Sequence, residues 1–192
     1  MKRVLVVVGT PGVGKSSVSA YLASCLQGIH IDLSRLIQQE GYSCGLDKKR
    51  KTLIADLDKA AKRVKEIISQ SEGYVIVDGH FAMDVVQAKN VFLAFVLRRN
   101  PDELQEILRQ RGFGSEKITE NVAAEILDVC LFETVKVYGK ERICEVDVSC
   151  RAIEDVVEEI MEVIENQKKC RVGVVDWLAK LEREDRLGDF LV

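Results

Sequence analysis

The sequence has few of the residues from which disulfide frameworks and zinc sites are built. Its 192 residues include two histidines and six cysteines, and no pair of cysteines has the Cys-x-x-Cys spacing. Structural zinc sites usually show closely spaced ligand pairs, so this pattern argues against one. We therefore expect reduced, mostly buried thiols in a protein of the cytoplasm.

Long apolar runs and a strong excess of one charge are also missing. The longest apolar run, Val91–Leu97, has the length of a strand and falls far short of the about 20 residues of a membrane span. A formal net charge of −3 argues against a generally basic nucleic-acid-binding protein, and 47% apolar residues argue against disorder. The start of the chain lacks the longer apolar region of a signal peptide. We expect one domain over residues 1–192, without membrane contact.

Short apolar runs alternate with stretches of helical periodicity. Five runs predict buried strands, at Val4–Val8, Ile29–Leu33, Tyr74–Val77, Val91–Leu97 and Ile143–Val148. Helices are predicted between and after them, at Lys15–Gln27, Thr52–Gln70, Pro101 to near Gly112, Thr119 to about Tyr138, Ile153–Asn166 and Val174–Glu184. This alternation predicts an α/β fold, with a parallel sheet covered by helices on both faces.

One motif carries a specific chemistry. Gly9-Thr10-Pro11-Gly12-Val13-Gly14-Lys15-Ser16 matches the phosphate-loop pattern at every fixed position, between a predicted strand and a predicted helix. Its glycines let backbone N–H groups turn toward phosphate oxygens, and the helix start adds positive potential. We expect Lys15 to reach the β- and γ-phosphates and Ser16 to ligate Mg²⁺. The expected nucleotide contacts are Gly12, Val13, Gly14, Lys15, Ser16 and Ser17.

A carboxylate and a histidine follow the third predicted strand. Asp78 is expected to hold Mg²⁺ through water, although an aspartate here could also simply start the turn at Gly79. His80 lies at the carboxyl end of the strand, where open α/β sheets bind their ligands. It is expected either to orient a water or a phosphate, as a catalytic residue, or to have a structural role.

These stretches resemble P-loop nucleoside monophosphate kinases, and more closely the archaeal and eukaryotic adenylate kinase family whose human member is the nuclear isoenzyme six. The similarity is carried by Gly9–Ser17, Asp32–Leu33, Val77–His80, Phe95–Arg98, Leu108–Phe113, and Lys117–Asn121 with Glu125. It implies a P-loop three-layer sandwich whose five parallel strands have the order 2-3-1-4-5. It also implies a monophosphate-binding region at about 32–72 and a short lid at about 109–122. Residues from about 172 to 192 find no counterpart in the resemblance and predict a helical tail.

The resemblance also implies an activity. Magnesium ATP would donate its γ-phosphoryl group to AMP or a related monophosphate. The family further implies ATP hydrolysis and a role in late maturation of the small ribosomal subunit, with a ribosomal protein and the pre-ribosomal particle as partners. Gly79 departs from the family, which has a bulky residue between the acid and the histidine.

An anionic acceptor needs neutralising cations more than it needs a general base. Arg98 ends the fourth predicted strand and is expected to bind substrate. Arg109 and Arg111 are two residues apart and cannot share a helix face, so one is expected on phosphate and the other on adenine or pointing outward. We assign Arg111 to catalysis and Arg109 to the nucleotide; Arg99 and Lys117 complete this basic set.

Three further residues belong to the predicted site. In the resembled family, the segment that contains Asp32 and Arg35 grips the acceptor nucleoside, so both are expected to bind substrate. The loop through Arg151, after the fifth strand, is expected to pass near adenine.

Three functions remain open from the sequence. The first is an ATP–AMP phosphotransferase, and the second is an ATPase switch in the assembly of a protein–RNA particle. The third is a kinase of a small alcohol, for which Asp32 could supply the base. A GTPase is disfavoured because the chain contains no Asn-Lys-x-Asp guanine-reading motif.

Overall fold

The structure is a computed structural model that describes residues 3–47 and 52–191. Its main sheet has five parallel strands, which are β1 (Arg3–Val8), β2 (Ile29–Asp32), β5 (Tyr74–Asp78), β6 (Val91–Arg98) and β7 (Ile143–Asp147). They lie in the order β2-β5-β1-β6-β7. Counted over these five strands alone, this is the order 2-3-1-4-5. The labels run higher because a two-stranded hairpin, absent from the sequence prediction, lies between β2 and β5 in the chain.

Helices cover both faces of this sheet and complete three layers. They are α1 (Lys15–Cys25), α2 (Leu33–Gln39), α3 (Leu57–Gln70), α4 (Ala82–Val85), α5 (Pro101–Gln110), α6 (Ser115–Ile126), α7 (Val129–Tyr138), α8 (Ile153–Ile164) and α9 (Trp177–Arg183). One core cluster contains α1, α5, α6, α8 and α9, and the other contains α2, α3, α4 and α7. The predicted α/β sandwich is therefore confirmed.

The central strand shows why the apolar runs were informative. Leu5 and Val7 of β1 enter one core cluster, while Val4, Val6 and Val8 enter the other. All five are at most 2% exposed. A strand buried on both faces has no polar side and reads as an unbroken apolar run. β1 ends at Val8, at the carboxyl edge of the sheet. The phosphate loop that follows it therefore lies at this edge.

The predicted helix Thr52–Gln70 is wrong in its first part. Residues Thr52–Ala55 form β4, which pairs antiparallel with β3 (Ser43–Asp47). The helix α3 starts only after Asp56, whose side chain accepts a hydrogen bond from the backbone N–H of Lys59 at 3.1 Å. An aspartate N-cap fixes the start of a helix in this way, and β-branched residues before it favour a strand.

The predicted helix from Thr119 to Tyr138 is also corrected, because the structure has two helices there. The first, α6, begins before Thr119, at Ser115, and the second, α7, begins at Val129. Asp128 separates them with a φ of 56°, in the left-handed region that does not continue a helix. The region 109–122 expected to form a lid thus contains the end of α5, a short turn and the first turns of α6.

The cysteines differ from the expectation of reduced, mostly buried thiols. Cys144 on β7 and Cys170 form a disulfide with a Cα–Cα distance of 4.6 Å. Of the other four, Cys130 is partly buried and the remaining three are exposed. The disulfide joins the last strand of the sheet to the segment that follows α8.

The C-terminal segment packs against the main domain as part of its core. Trp177 and Leu181 of α9, with Phe190, are at most 6% exposed in the cluster that also holds α6. Arg186 donates to both carboxylate oxygens of Asp102 at the start of α5, at 2.7 and 3.2 Å. Over residues 3–47 and 52–191, no helix has the length and apolar content required to cross a membrane.

Candidate active site

The phosphate loop connects β1 to α1, and its glycines occupy positions where a side chain would not fit. Gly9 has a φ of 143°, and a Cβ there would lie 2.6 Å from the carbonyl oxygen of Leu97. Gly12 has a φ of 99°, and its Cβ would lie 2.8 Å from Leu104. The loop therefore packs directly on β6 and α5, and this close packing fixes the direction of its backbone N–H groups.

Lys15 lies inside the curve of this loop. Its Nζ donates hydrogen bonds to the carbonyl oxygens of Gly9 at 2.7 Å and Thr10 at 3.1 Å. Burial lowers the pKa of Lys15, and the nearby carboxylates of Asp78 and Glu125 act in the opposite direction. The ammonium group is thus largely removed from water and held by neutral carbonyls, which suits an exchange of these partners for phosphate oxygens.

Three oxygen-bearing side chains meet at the start of α1. The Ser16 hydroxyl lies 3.2 Å from Oδ1 of Asp78 and 3.3 Å from Oδ2 of Asp32. Hydroxyl and carboxylate oxygens are the donors that Mg²⁺ prefers, and magnesium is commonly held by one or two carboxylates together with substrate phosphates. Among the described residues, no group of three or more His, Cys, Asp or Glu side chains forms a closed metal site. The residues present therefore fit a magnesium–nucleotide complex.

His30 is a site residue that the sequence reasoning did not select. Its Nε2 lies 2.5 Å from Oδ2 of Asp78, which leaves Oδ1 of that carboxylate toward Ser16. The register of β2 on β5 places Asp32 beside Asp78. A signal was present in the sequence, because residues 30 and 32 share one face of a strand.

His80 follows β5, two residues after Asp78, and is exposed. Its ring packs against Phe81 with a centroid distance of 3.8 Å. Partial desolvation lowers the pKa of His80, and the positive charges of Lys15 and Lys117 act in the same direction, against Asp84. The lowered pKa favours the neutral form of the imidazole.

The glycine between Asp78 and His80 has a local explanation. Gly79 has a φ of 145°, and a Cβ at this position would lie 3.0 Å from the Cβ of Leu33. Leu33 is itself buried at the start of α2. A bulky residue at position 79 would need both a different backbone and a displaced Leu33, so the departure from the family pattern matches this packing.

Two cavities flank the start of α1. The first, of about 340 Å³, is lined by Gly12, Val13, Gly14 and Ser17 of the loop region, by apolar side chains that include Val148 and Ile153, and by Arg99, Arg111 and Arg151. The second, of about 490 Å³, is lined by Ser16, His30, Asp32, Arg35 and Gln39 with apolar neighbours. Ser17 lines the first cavity, and Ser16 lines the second. Ligands in the two cavities can therefore approach the phosphate loop from different sides.

Among the lid arginines, the structure brings Arg111 to the first cavity but not Arg109. Arg109 is 57% exposed, lies 3.8 Å from Glu106 in an ion pair and is outside the cavity lining. The structure thus leaves Arg109 exposed on α5, away from this cavity, and its nucleotide contact stays a prediction. Arg99, which the sequence analysis includes in the basic set without a role of its own, does line the cavity. It donates to the carbonyl oxygen of Val13 at 3.3 Å and pairs with Glu103 at 2.8 Å.

Arg98 does not meet the expectation of a substrate contact. It is 1% exposed, and its guanidinium group donates to Glu125 Oε1 at 2.8 Å, to Glu145 Oε1 at 2.5 Å and to Asp128. A further bond reaches the backbone carbonyl of Glu125 at 2.9 Å. Desolvation would lower the pKa of Arg98, but the three carboxylates hold it above its ordinary value. The side chain is thus fully engaged in a buried ion cluster.

Comparisons with known proteins agree with this architecture. A family model described as "AAA domain" matches residues 5–128. A protein of Methanocaldococcus jannaschii named "Putative adenylate kinase" is 36% identical over 176 residues, which cover 92% of this chain and 93% of that one. A protein of the same name from Thermococcus kodakarensis is 36% identical over 174 residues, covering 91% and 92% of the two chains.

Solved structures show the same fold at low sequence identity. A shikimate kinase from Bacteroides thetaiotaomicron superposes with a TM-score of 0.59 at 17% identity, over 85% of this chain and 98% of that one. A gluconokinase from Sinorhizobium meliloti gives a TM-score of 0.53 at 19% identity, over 86% and 95%. At these identities the likeness concerns the fold alone.

Proposed function

The chain belongs to the adenylate kinase-like family of nucleoside monophosphate kinases, and from this premise we propose that it transfers the γ-phosphoryl group of ATP to AMP. The observation that carries the proposal is the pair of cavities on either side of Ser16 and Ser17. A donor nucleotide in the first and a monophosphate in the second would direct their phosphates toward the same loop. Other nucleoside monophosphates remain candidate acceptors in the second cavity.

In this proposal, the residues around the loop neutralise different phosphate groups or hold magnesium. Lys15 and Arg111 neutralise the transferring phosphoryl group, and Arg35 neutralises the acceptor phosphate. The acceptor oxygen is already anionic, so positioning of the two anions supplies most of the catalysis. Ser16 and Asp78 would hold magnesium, which, when bound, spreads the negative charge of the phosphates. On the adenine side, Arg151 is fixed by Glu159 at 2.5 Å and by the carbonyl of Asp147.

Asp32 is the residue that bears on an alcohol as the acceptor. Its Oδ1 accepts from the backbone N–H of Arg35 at 3.0 Å and caps α2, while its Oδ2 lies near Ser16. Oδ1 is therefore engaged as the cap of α2, and Oδ2 competes with Asp78 for the single Ser16 proton, so Oδ2 alone could act as the base that an alcohol acceptor needs. Asp32 caps α2 and lines the second cavity.

ATP hydrolysis enters the proposal as a slower reaction of the same site, with water in place of the acceptor. The resemblance to the isoenzyme-six type, and with it the role in small ribosomal subunit maturation, stays a prediction from the sequence.

The acceptor is tested by adding AMP. Purified protein with magnesium ATP should consume ATP much faster when AMP is present, and two ADP should form for each AMP consumed. Arg35→Ala should raise the KM for AMP by about tenfold, the cost of one charge-assisted contact. The KM for ATP should change little. Arg63→Ala is the matched control, because Arg63 lies on α3 and pairs with Glu40 outside the cavity lining. ATP consumption that is the same with and without AMP would favour the ATPase switch.

His80→Ala tests a positioning role for the imidazole. We propose that the neutral ring orients the attacking oxygen, so the variant should lose about 10²-fold in turnover while nucleotide affinity changes little. Turnover and melting temperature are measured on the same protein. A lower melting temperature with parental turnover in the cold would instead mean that His80 only packs on Phe81.

A further inference from the structure

Glu125 is a buried carboxylate that the reaction proposed above does not use. It lies in the last turn of α6, and its side chain is 1% exposed. Oε2 accepts a hydrogen bond from the hydroxyl of Thr10 at 2.6 Å. Oε1 accepts from Nε of Arg98 at 2.8 Å and from the backbone N–H of Arg99 at 3.1 Å. One carboxylate thus contacts three separate groups.

Two of these partners belong to the nucleotide site. Thr10 is the second residue of the phosphate loop, is 1% exposed, and offers its carbonyl oxygen to Lys15. Arg99 follows β6, lines the first cavity and donates to the carbonyl of Val13 in the loop. Glu125 therefore joins the start of the phosphate loop to the backbone at Arg99, a residue of the cavity lining.

Charge balance alone does not account for Glu125. The guanidinium group of Arg98 already pairs with Glu145 and with Asp128. The positive charge of Arg98 is therefore compensated without Glu125, whose carboxylate also lies near the cation of Lys15. The carboxylate that contacts the loop is thus in excess of what Arg98 requires, and a buried charge without a role is costly.

We propose that Glu125 is a positioning residue that fixes the phosphate loop, through Thr10, relative to the backbone at Arg99, whose side chain lines the nucleotide cavity. A hydrogen bond to a carboxylate is short and directional, so it restrains the loop backbone at the residue where the chain leaves β1. A small displacement of the loop would misplace Lys15 and the N–H groups on the phosphates. This inference rests on the proposed function and adds a residue that supports its site.

The experiment compares two conservative substitutions at Thr10, one without and one with a hydroxyl donor. Thr10→Val keeps the shape and removes the donor, whereas Thr10→Ser keeps the donor. We expect Thr10→Val to weaken magnesium ADP binding by about tenfold in calorimetry and to lower turnover by about 10- to 100-fold. Thr10→Ser should stay within about twofold of the parent. Thr134→Val is the matched control, since Thr134 is also buried and donates to the carbonyl of Cys130 on its own helix.

Melting temperatures separate positioning from stability. Thr134→Val is expected to lose stability and keep parental affinity and turnover. If Thr10→Val likewise loses only stability, with parental ADP affinity and turnover, the inference is overturned. The same holds if Thr10→Ser is as impaired as Thr10→Val.

A double-mutant cycle with Glu125→Ala tests whether the two residues act as one unit. If the hydroxyl acts through the carboxylate, adding Thr10→Val to Glu125→Ala should change ADP affinity by less than twofold. If the two substitutions instead act independently, so that their fold-changes in ADP affinity multiply in the double mutant, the inference is overturned. If Glu125→Ala does not fold, the comparison of Thr10→Val with Thr10→Ser tests the inference without the double mutant. If the parent forms no ADP from AMP, the proposed function fails, while the ADP titrations still decide the role of Glu125.

Discussion

Lys15→Ala is expected to reduce phosphoryl transfer and ATP hydrolysis by at least about 10²- to 10³-fold, which corresponds to about 3–4 kcal/mol of transition-state stabilisation. The reason is the setting of the ammonium group, which is partly buried and donates to the carbonyls of Gly9 and Thr10. Charge developing on the phosphoryl group would meet this cation in a partly buried site, where the attraction is stronger than in bulk water. The chain should still fold, because the two carbonyls can bind water instead.

The measurement is steady-state turnover with magnesium ATP and AMP, together with a thermal unfolding curve of the same preparation. Lys62→Ala serves as the control, because Lys62 is an exposed lysine on α3. A folded Lys15→Ala protein with near-parental turnover would show that the glycine-rich loop is not the catalytic phosphate site.

Arg98→Met should have the largest effect on stability, with a loss of about 3–5 kcal/mol in the free energy of unfolding. The substitution leaves Glu125 and Glu145 buried, at 1% and 0% side-chain exposure, without their shared cation. For a chain of this size the melting temperature should fall by about 10 °C. The difference should persist in high salt, because buried charges are screened much less than exposed ones.

Urea unfolding of Arg98→Met and of Arg183→Met, an exposed arginine on α9, measures this loss against a surface control. The original expectation that Arg98 binds substrate makes the opposite prediction. It requires a variant of near-parental stability with a raised KM, and that result would contradict the structural role given to Arg98.

The features that the sequence predicted correctly depend on neighbours in the chain. The unbroken apolar run of β1 and the loop motif after it are local patterns whose physical causes lie within about 15 residues. The start of the predicted helix at Pro101 is of the same kind, since the side chain of Asn100 accepts from the backbone N–H of Asp102 two residues on. Local patterns of this kind also fixed the positions of the five parallel strands.

The features that the sequence did not predict depend on partners that are distant in the chain. Arg98 was correctly placed at the end of a strand, but its partners Glu125 and Glu145 are 27 and 47 residues away. Arg98 ends a strand at the ligand-binding edge of the sheet, but its ion pairs with three carboxylates bury it and give it a structural role. His30 was missed for the same reason, because its partner Asp78 is 48 residues away and becomes a neighbour only when β2 pairs with β5.

The packing of the C-terminal segment gives the protein an optical label of its own. Trp177 is the single tryptophan of the chain, and its indole is 6% exposed among the apolar side chains that also include Ile118 and Val122 of α6. Indole fluorescence responds to the polarity around the ring, so the tryptophan emission reports on the core cluster that α9 shares with the helix that carries Glu125. Release of this segment from α6 is therefore an event that fluorescence can follow separately from unfolding of the sheet.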